Sequence, residues 1–328
     1  MQRNNQKEKE FYSKPFKFSY SSLNKLLFSP SLFYKDYILK DREERLDKHL
    51  VEGKLIHCLL FEPENLEEKF SVMPGKTPTD SIKKVLYYLK DKIKGDLLNV
   101  DSNVYILDAL KIANLYQSFK EDEKRLAKIQ TEDNEAYWQF IKNTKADVVD
   151  MDTLQRCKDR VELIKSNKDV MSLFTKEETD FELDSITTHA EAYLECGLHD
   201  RNFGLKGFVD YYSIDEEAKQ VTICDLKTTG KTIADFAETV DFYNYWLQAA
   251  MYCKLVYENL SEDRDSYKIT FKFVVIDKYD QVYVFDVSDK TITNWMESLF
   301  ETLNIAQYHY SNKNYSLPYQ FLEDKVVL

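Results

Sequence analysis

Between residues 180 and 228, short apolar runs alternate with turn-forming clusters, the pattern of successive β-strands. Residues 181–188, 191–195, 205–213 and 220–228 read as strands, with turns at Asp200-Arg201-Asn202 and Asp215-Glu216-Glu217. In the last run Val221, Ile223 and Leu226 surround Asp225 and Lys227. The two-residue period of a strand turns both charged side chains to one face. Asp210 likewise closes the run Gly207-Phe208-Val209. Helical spacing follows over 234–240 and 243–257. A hairpin is predicted over 266–276 and 281–287 around Asp277-Lys278-Tyr279-Asp280, then a last helix over 289–308.

The N-terminal half reads differently. Residues 1–16 are polar and predict a mobile tail. Ser19, Ser21 and Ser22 can cap a helix carrying Leu23, Leu26 and Leu27, and Ser29-Pro30-Ser31 restarts one carrying Phe33, Tyr34, Tyr37 and Ile38. A third helix is predicted over 50–61, stopping near Pro63. Met73 to Pro78 reads as a loop, and 80–174 as a charge-rich helical stretch without a chemical motif. Strands, then helices, then a hairpin predict an α/β fold: a mixed β-sheet core flanked by helices. The expected organisation is a single domain over 17–328: an N-terminal helical cap (17–64), a helical insertion (65–178) and the α/β core (179–328).

Composition narrows the function classes. The chain has 328 residues, 43% of them hydrophobic and 14% aromatic, enough for a sizeable core. No run of eighteen apolar residues predicts a membrane span, and residues 1–10 lack a signal-peptide core, so a cytoplasmic location is expected. The five cysteines are widely spaced with no CxxC, which predicts reduced thiols and neither zinc site nor disulfide framework. The net charge of −12 runs against a general basic footprint for nucleic acid. Charge is uneven, however: residues 1–60 carry +4 and the rest −16.

Two carboxylates on neighbouring strands and a lysine beside one of them suit phosphodiester hydrolysis. Mg²⁺ takes a few carboxylates and keeps several waters, and a lysine can orient water or neutralise phosphate. Asp210 and Asp225 are the candidate metal ligands, with the carbonyl of Leu226 as a further oxygen. Alone, Asp-x-Lys arises easily by chance in so charged a chain. The apolar runs leading into both acids count against an ordinary surface ion pair, because buried charge needs a partner or a metal. Lys35, Lys40, Arg42, Arg45 and Lys48 interleave with Tyr34 and Tyr37, as a nucleic-acid surface can, though acidic residues between them equally fit a solvated helix. Arg201 and Lys206 are candidate backbone contacts or solvated hairpin residues. No Walker loop, GxSxG or HExxH is present.

Gly207-x-x-Asp210, Asp225-x-Lys227-Thr228 and Gln248-x-x-x-Tyr252 together resemble the RecB/RecE-like branch of the PD-(D/E)XK nuclease superfamily, including exodeoxyribonuclease VIII-like phage enzymes. Gly53-Lys54-Leu55-Ile56-His57, followed by Glu62-Pro63-Glu64, is similar to the Gly-x-x-x-His helix of those nucleases. The resemblance covers residues 19–64 and 180–257. It implies a restriction-endonuclease-like fold, with Asp210 and Asp225 as metal-binding acids and Lys227 as the catalytic lysine. It further implies His57 as a metal ligand from the helical cap, and Gln248 and Tyr252 bordering the active site. Glu191 is taken as the additional upstream acid, with Glu195 facing the same way. Asp225 stands where many members have Glu, and Val209 replaces the usual Pro. The activity implied is a metal-dependent deoxyribonuclease using Mg²⁺, with Mn²⁺ substituting, and most of all an exonuclease on linear DNA in recombination or repair. A PD-(D/E)XK endonuclease and a catalytically silent nucleic-acid-binding module are the alternatives. The cysteine spacing predicts no iron–sulfur cluster. DNA is the expected partner, with a single-strand annealing protein and a homo-oligomer as possible further ones, no membrane, and the host cytoplasm as the location if the protein is phage-encoded.

Overall fold

A computed structural model describes residues 2–42, 48–144, 147–174, 186–260 and 263–323. The first half contains α1 (Gln2–Phe11), β1 (Lys17–Phe18), α2 (Tyr20–Phe28), α3 (Pro30–Phe33), α4 (Lys48–Phe61), α5 (Leu66–Lys69), β2 (Phe70–Val72), α6 (Asp80–Leu89), α7 (Asn103–Ile112), α8 (Asp122–Leu126), α9 (Glu132–Asn143), β3 (Asp147–Val149), α10 (Met151–Ser166) and α11 (Lys168–Phe174). The second half continues with β4 (Ile186–Gly197), β5 (Gly204–Asp215), β6 (Gln220–Thr228), α12 (Phe236–Tyr243), α13 (Tyr245–Asn259), β7 (Lys268–Ile276), β8 (Val282–Val287), α14 (Asp289–Asn312) and α15 (Gln320–Glu323). The chain divides into two compact units, residues 1–46 with 162–328, and residues 47–161. The second unit therefore takes in α4, which the sequence assigns to the cap.

The first unit is built on a six-stranded mixed sheet. β4 and β5 pair antiparallel along their length, β5 and β6 antiparallel, β6 and β7 parallel, and β7 and β8 antiparallel. β6 lies between two neighbours, so Val221, Ile223 and Leu226 are all buried and its sequence reads as a nearly continuous apolar run. The two strands expected around residues 186–195 are one, β4; the expected start at 181–185 lies outside the described residues. α13 packs on β4 and β5 and against α14, with Leu247, Met251 and Leu255 fully buried.

Gly204 begins β5 at a point of close approach. A Cβ there would lie 2.3 Å from the carbonyl oxygen of Cys196, which is backbone and has little room to move. Gly204→Ala is expected to lower stability by about 1–3 kcal/mol, the usual cost of overpacking, measurable by urea unfolding.

The serine-rich opening folds as its capping chemistry dictates. Ser19 and Ser22 form a reciprocal capping box at the start of α2, and Ser29 caps α3 with Pro30 in its first turn. Where a mobile tail is expected, residues 2–11 are a helix held by its aromatic end. Phe11 is buried, Tyr12 Oη lies 2.7 Å from Tyr315 Oη, and Lys7 Nζ donates to the carbonyl of Leu39. Tyr34 and Tyr37 turn inward, Tyr37 stacking on Phe33 at 5.2 Å and Tyr34 lying 5.7 Å from Tyr315. They are spent on the core and are not a base-stacking surface. Lys40 pairs with Glu10; Arg45 lies outside the described residues.

The second unit has its own core, in which Ile82, Leu86, Leu89, Ile106, Leu110 and Trp138 are buried among α6, α7 and α9. Trp138 Nε1 donates to the carbonyl of Gly95 at 3.0 Å. β2 and β3 pair parallel. Cys58, Cys157, Cys224 and Cys253 are buried, and no disulfide forms among the described residues. No helix of the described residues is long and apolar enough to cross a membrane.

Candidate active site

The site grows from a place where the sheet opens. β4 occupies one edge of β5 from Gly204 to Asp215. The other edge is shared: β6 pairs with Tyr211 to Asp215, and β1 with Gly204 and Leu205. Between them, among the described residues, residues 206–209 of that edge have no ladder partner. One step beyond the Tyr211–Cys224 pair, where β5 and β6 part, stand Asp210 and Asp225.

Both acids are withdrawn from solvent, Asp210 at 6% exposure and Asp225 at 0%. Asp210 Oδ2 accepts the backbone N–H of Leu226 at 2.8 Å, so the carboxylate takes the place of a missing strand carbonyl. Asp225 Oδ2 lies 2.5 Å from Lys227 Nζ, two residues along the same strand face. The ammonium also donates to Gln248 Oε1 at 3.0 Å, and Gln248 Nε2 donates to Tyr252 Oη at 2.7 Å. Gln248 and Tyr252 are one turn apart on α13 and act as a brace that fixes the lysine.

The glycine of the Gly-x-x-Asp motif has a steric role in this arrangement. A Cβ on Gly207 would meet Leu255 Cδ1 at 3.2 Å and Tyr252 Cε1 at 3.3 Å. The bare backbone lets α13 press onto β5 and carries Tyr252 to the acids.

Glu191 lies on β4 opposite Asp210 of β5, since Ala190 faces Tyr211 and Ala192 faces Val209. At this step of the strand Glu191 adopts a left-handed backbone with φ 45°. Carboxylate oxygens of Glu191 and Asp210 lie within 4.8 Å of each other. Glu195, two pleats along β4 at the same parity, pairs with Lys17 and accepts from Tyr193. Arg201 is withdrawn as well: its guanidinium donates to the carbonyl of Leu303 and to Asn304 Oδ1, tying the β4–β5 turn to α14. His189 stacks on Tyr212 at 4.5 Å.

Electrostatics favour a charged lysine. Burial pulls the Lys227 ammonium down, but the carboxylates of Asp225 and Asp210 more than offset it, and its pKa ends above the ordinary lysine value. Tyr252 is driven well above the usual phenol range, by burial first and then by Asp210 and Asp225, and stays neutral. Tyr245, which the sequence reading does not single out, completes the setting. Lys227 Nζ sits 4.7 Å from the centroid of its ring. The signal was there to find: Tyr245, Gln248 and Tyr252 recur at the three- and four-residue spacing of one helix face.

The donor set fits a hard divalent cation. Asp225 and Asp210 bear on the Lys227 ammonium and Glu191 lies beside Asp210, so three carboxylates accompany one ammonium, a formal deficit of two positive charges, with oxygen donors on offer. His57 stands on α4 of the second unit, where its ring centroid lies 6.0 Å from that of Phe61, one turn on.

A family model described as the PD-(D/E)XK nuclease superfamily matches residues 17–312. The mixed sheet flanked by helices is the restriction-endonuclease-like architecture expected from the sequence. Among solved structures, the chain is similar to a crystal structure from Eubacterium rectale provisionally described as an exonuclease. The two share 11% identity with a TM-score of 0.47, over 99% of this chain and 91% of that one. No curated protein sequence matches the chain.

Proposed function

Since the chain belongs to the PD-(D/E)XK nuclease superfamily, we propose that it is a Mg²⁺-dependent deoxyribonuclease, acting as an exonuclease on linear DNA in recombination or repair. The observation that carries the nuclease reading is the buried Asp225–Lys227 pair, set beside Asp210 where β5 and β6 part. The exonuclease reading is supported by the sequence motifs shared with the RecB/RecE-like branch.

Asp210, Asp225 and the carbonyl of Leu226 would hold the cation, with Glu191 as the additional acid. His57 is assigned to the metal on the Gly53–His57 motif alone. When bound, Mg²⁺ supplies charge neutralisation at the phosphoryl oxygens and a more acidic water. Lys227, kept cationic by its neighbours, donates to a phosphate oxygen or orients the attacking water; it is a donor and not a base. Gln248 and Tyr252 hold the ammonium in place, so its orientation is set before substrate arrives. In-line attack opposite the 3′-oxygen leaves a 5′-phosphate.

The test is incubation with linear duplex, closed circular and single-stranded DNA, with Mg²⁺ or with a chelator. Loss of linear DNA with circles intact, abolished by chelation, is the expected result. Nicked circles would make the enzyme an endonuclease. Metal-independent binding without cleavage of any substrate would make it a binding module.

A further inference from the structure

Leading away from Lys227 is a row of aromatic rings that the hydrolytic chemistry does not use. Tyr245, beneath the ammonium, stacks on Tyr243 with centroids 5.5 Å apart and planes 25° from parallel. Tyr243 meets Phe242 edge-on at 4.9 Å. Exposure climbs outward, to 48% at Tyr243 and 73% at Phe242, and Lys231 Nζ stands 5.8 Å from the Phe242 ring.

The row is rigidly mounted. It spans the junction of α12 and α13, where Asn244 takes a left-handed conformation at φ 56°. Asn244 Nδ2 donates to Asn24 Oδ1, Trp246 Nε1 donates to Asn244 Oδ1, and the Tyr20 hydroxyl donates to the carbonyl of Tyr243. Leaving large rings in water costs solubility, and a folding role explains Tyr245 but not Phe242.

We propose that Tyr243 and Phe242 form a stacking ledge for the unpaired bases of a single-stranded DNA end, which guides the strand's phosphates to Lys227. The proposal rests on the nuclease reading and deepens it. The charge balance favours this occupant. A net charge of −12 runs against a general basic footprint for duplex backbone, whereas base stacking depends less on charge, and the ledge pairs its rings with Lys231. Every base offers a π-face, so the ledge would not select sequence. Continuity with the lysine gives it direction: a strand lying along it reaches Tyr245 and Lys227 next.

The experiment uses the full chain in EDTA, which keeps the strand intact, and an oligonucleotide with 2-aminopurine near its end. Wild type is expected to bind the single strand and quench the probe. Phe242→Leu with Tyr243→Leu keeps apolar bulk but loses the π-faces, and its affinity should fall by about tenfold or more. Phe242→Trp with Tyr243→Trp should retain binding and quenching. Equal affinity in the leucine variant, or no quenching by wild type, overturns the ledge. Wild-type hydrolysis of bis(p-nitrophenyl) phosphate with Mn²⁺ reports the nuclease reading separately, so the two failures can be told apart.

Discussion

Lys227→Met is expected to slow single-turnover cleavage of linear DNA by about 10²–10³-fold, the loss typical when one preorganised charge-stabilising donor is removed. The side chain is nearly isosteric, so the space beside Tyr245 stays filled and the effect is electrostatic. A second consequence follows from burial. Asp225 is fully inaccessible and lies 2.5 Å from the ammonium, and removing one member of a buried pair costs about 3–5 kcal/mol. The variant should melt below the wild type without divalent cation and recover more stability than the wild type when Mg²⁺ is added, because a cation then answers the stranded carboxylate. Melting curves with and without Mg²⁺ read this directly. Cleavage within tenfold of the wild type would remove Lys227 from the chemistry.

Asp210 gives the second large effect, and two substitutions separate its two jobs. Its carboxylate accepts the Leu226 N–H and, on the reading above, binds the cation. Asp210→Asn keeps an acceptor for that N–H but loses the charge. It should fold like the wild type, while metal affinity measured by calorimetry falls by more than the ~10–100-fold that losing an outer-shell partner costs. Cleavage should fall with it. Asp210→Ala should show the same metal defect and in addition lose about 1–3 kcal/mol of stability, since a buried N–H is left unmatched. An Asp210→Asn protein with wild-type metal affinity would mean the acid serves only the sheet.

Much of this arrangement was legible in the sequence because it follows from short periods. The alternation around Asp225 and Lys227 gives a strand and a shared face, and Gln248 and Tyr252 at four-residue spacing give one side of a helix. What was not legible depends on tertiary contacts. Glu195 has the right parity for the site, yet Lys17, 178 residues away in sequence, takes it up. Arg201 reads as a free cation until α14 is seen to supply its acceptors. Tyr34 and Tyr37 look like surface rings interleaved with charge, and only the aromatic packing of Phe33 and Tyr315 turns them inward. The division into two compact units has no proline- or glycine-rich stretch in the sequence to mark it.

Glu191 shows how this fold sets durability against activity. A non-glycine residue in the left-handed region costs on the order of 1–2 kcal/mol, and here the cost falls in mid-strand. Glycine would take that conformation without steric strain, but it has no carboxylate to offer. A substitution that relieves the backbone at position 191 therefore leads, on the proposed chemistry, away from the enzyme.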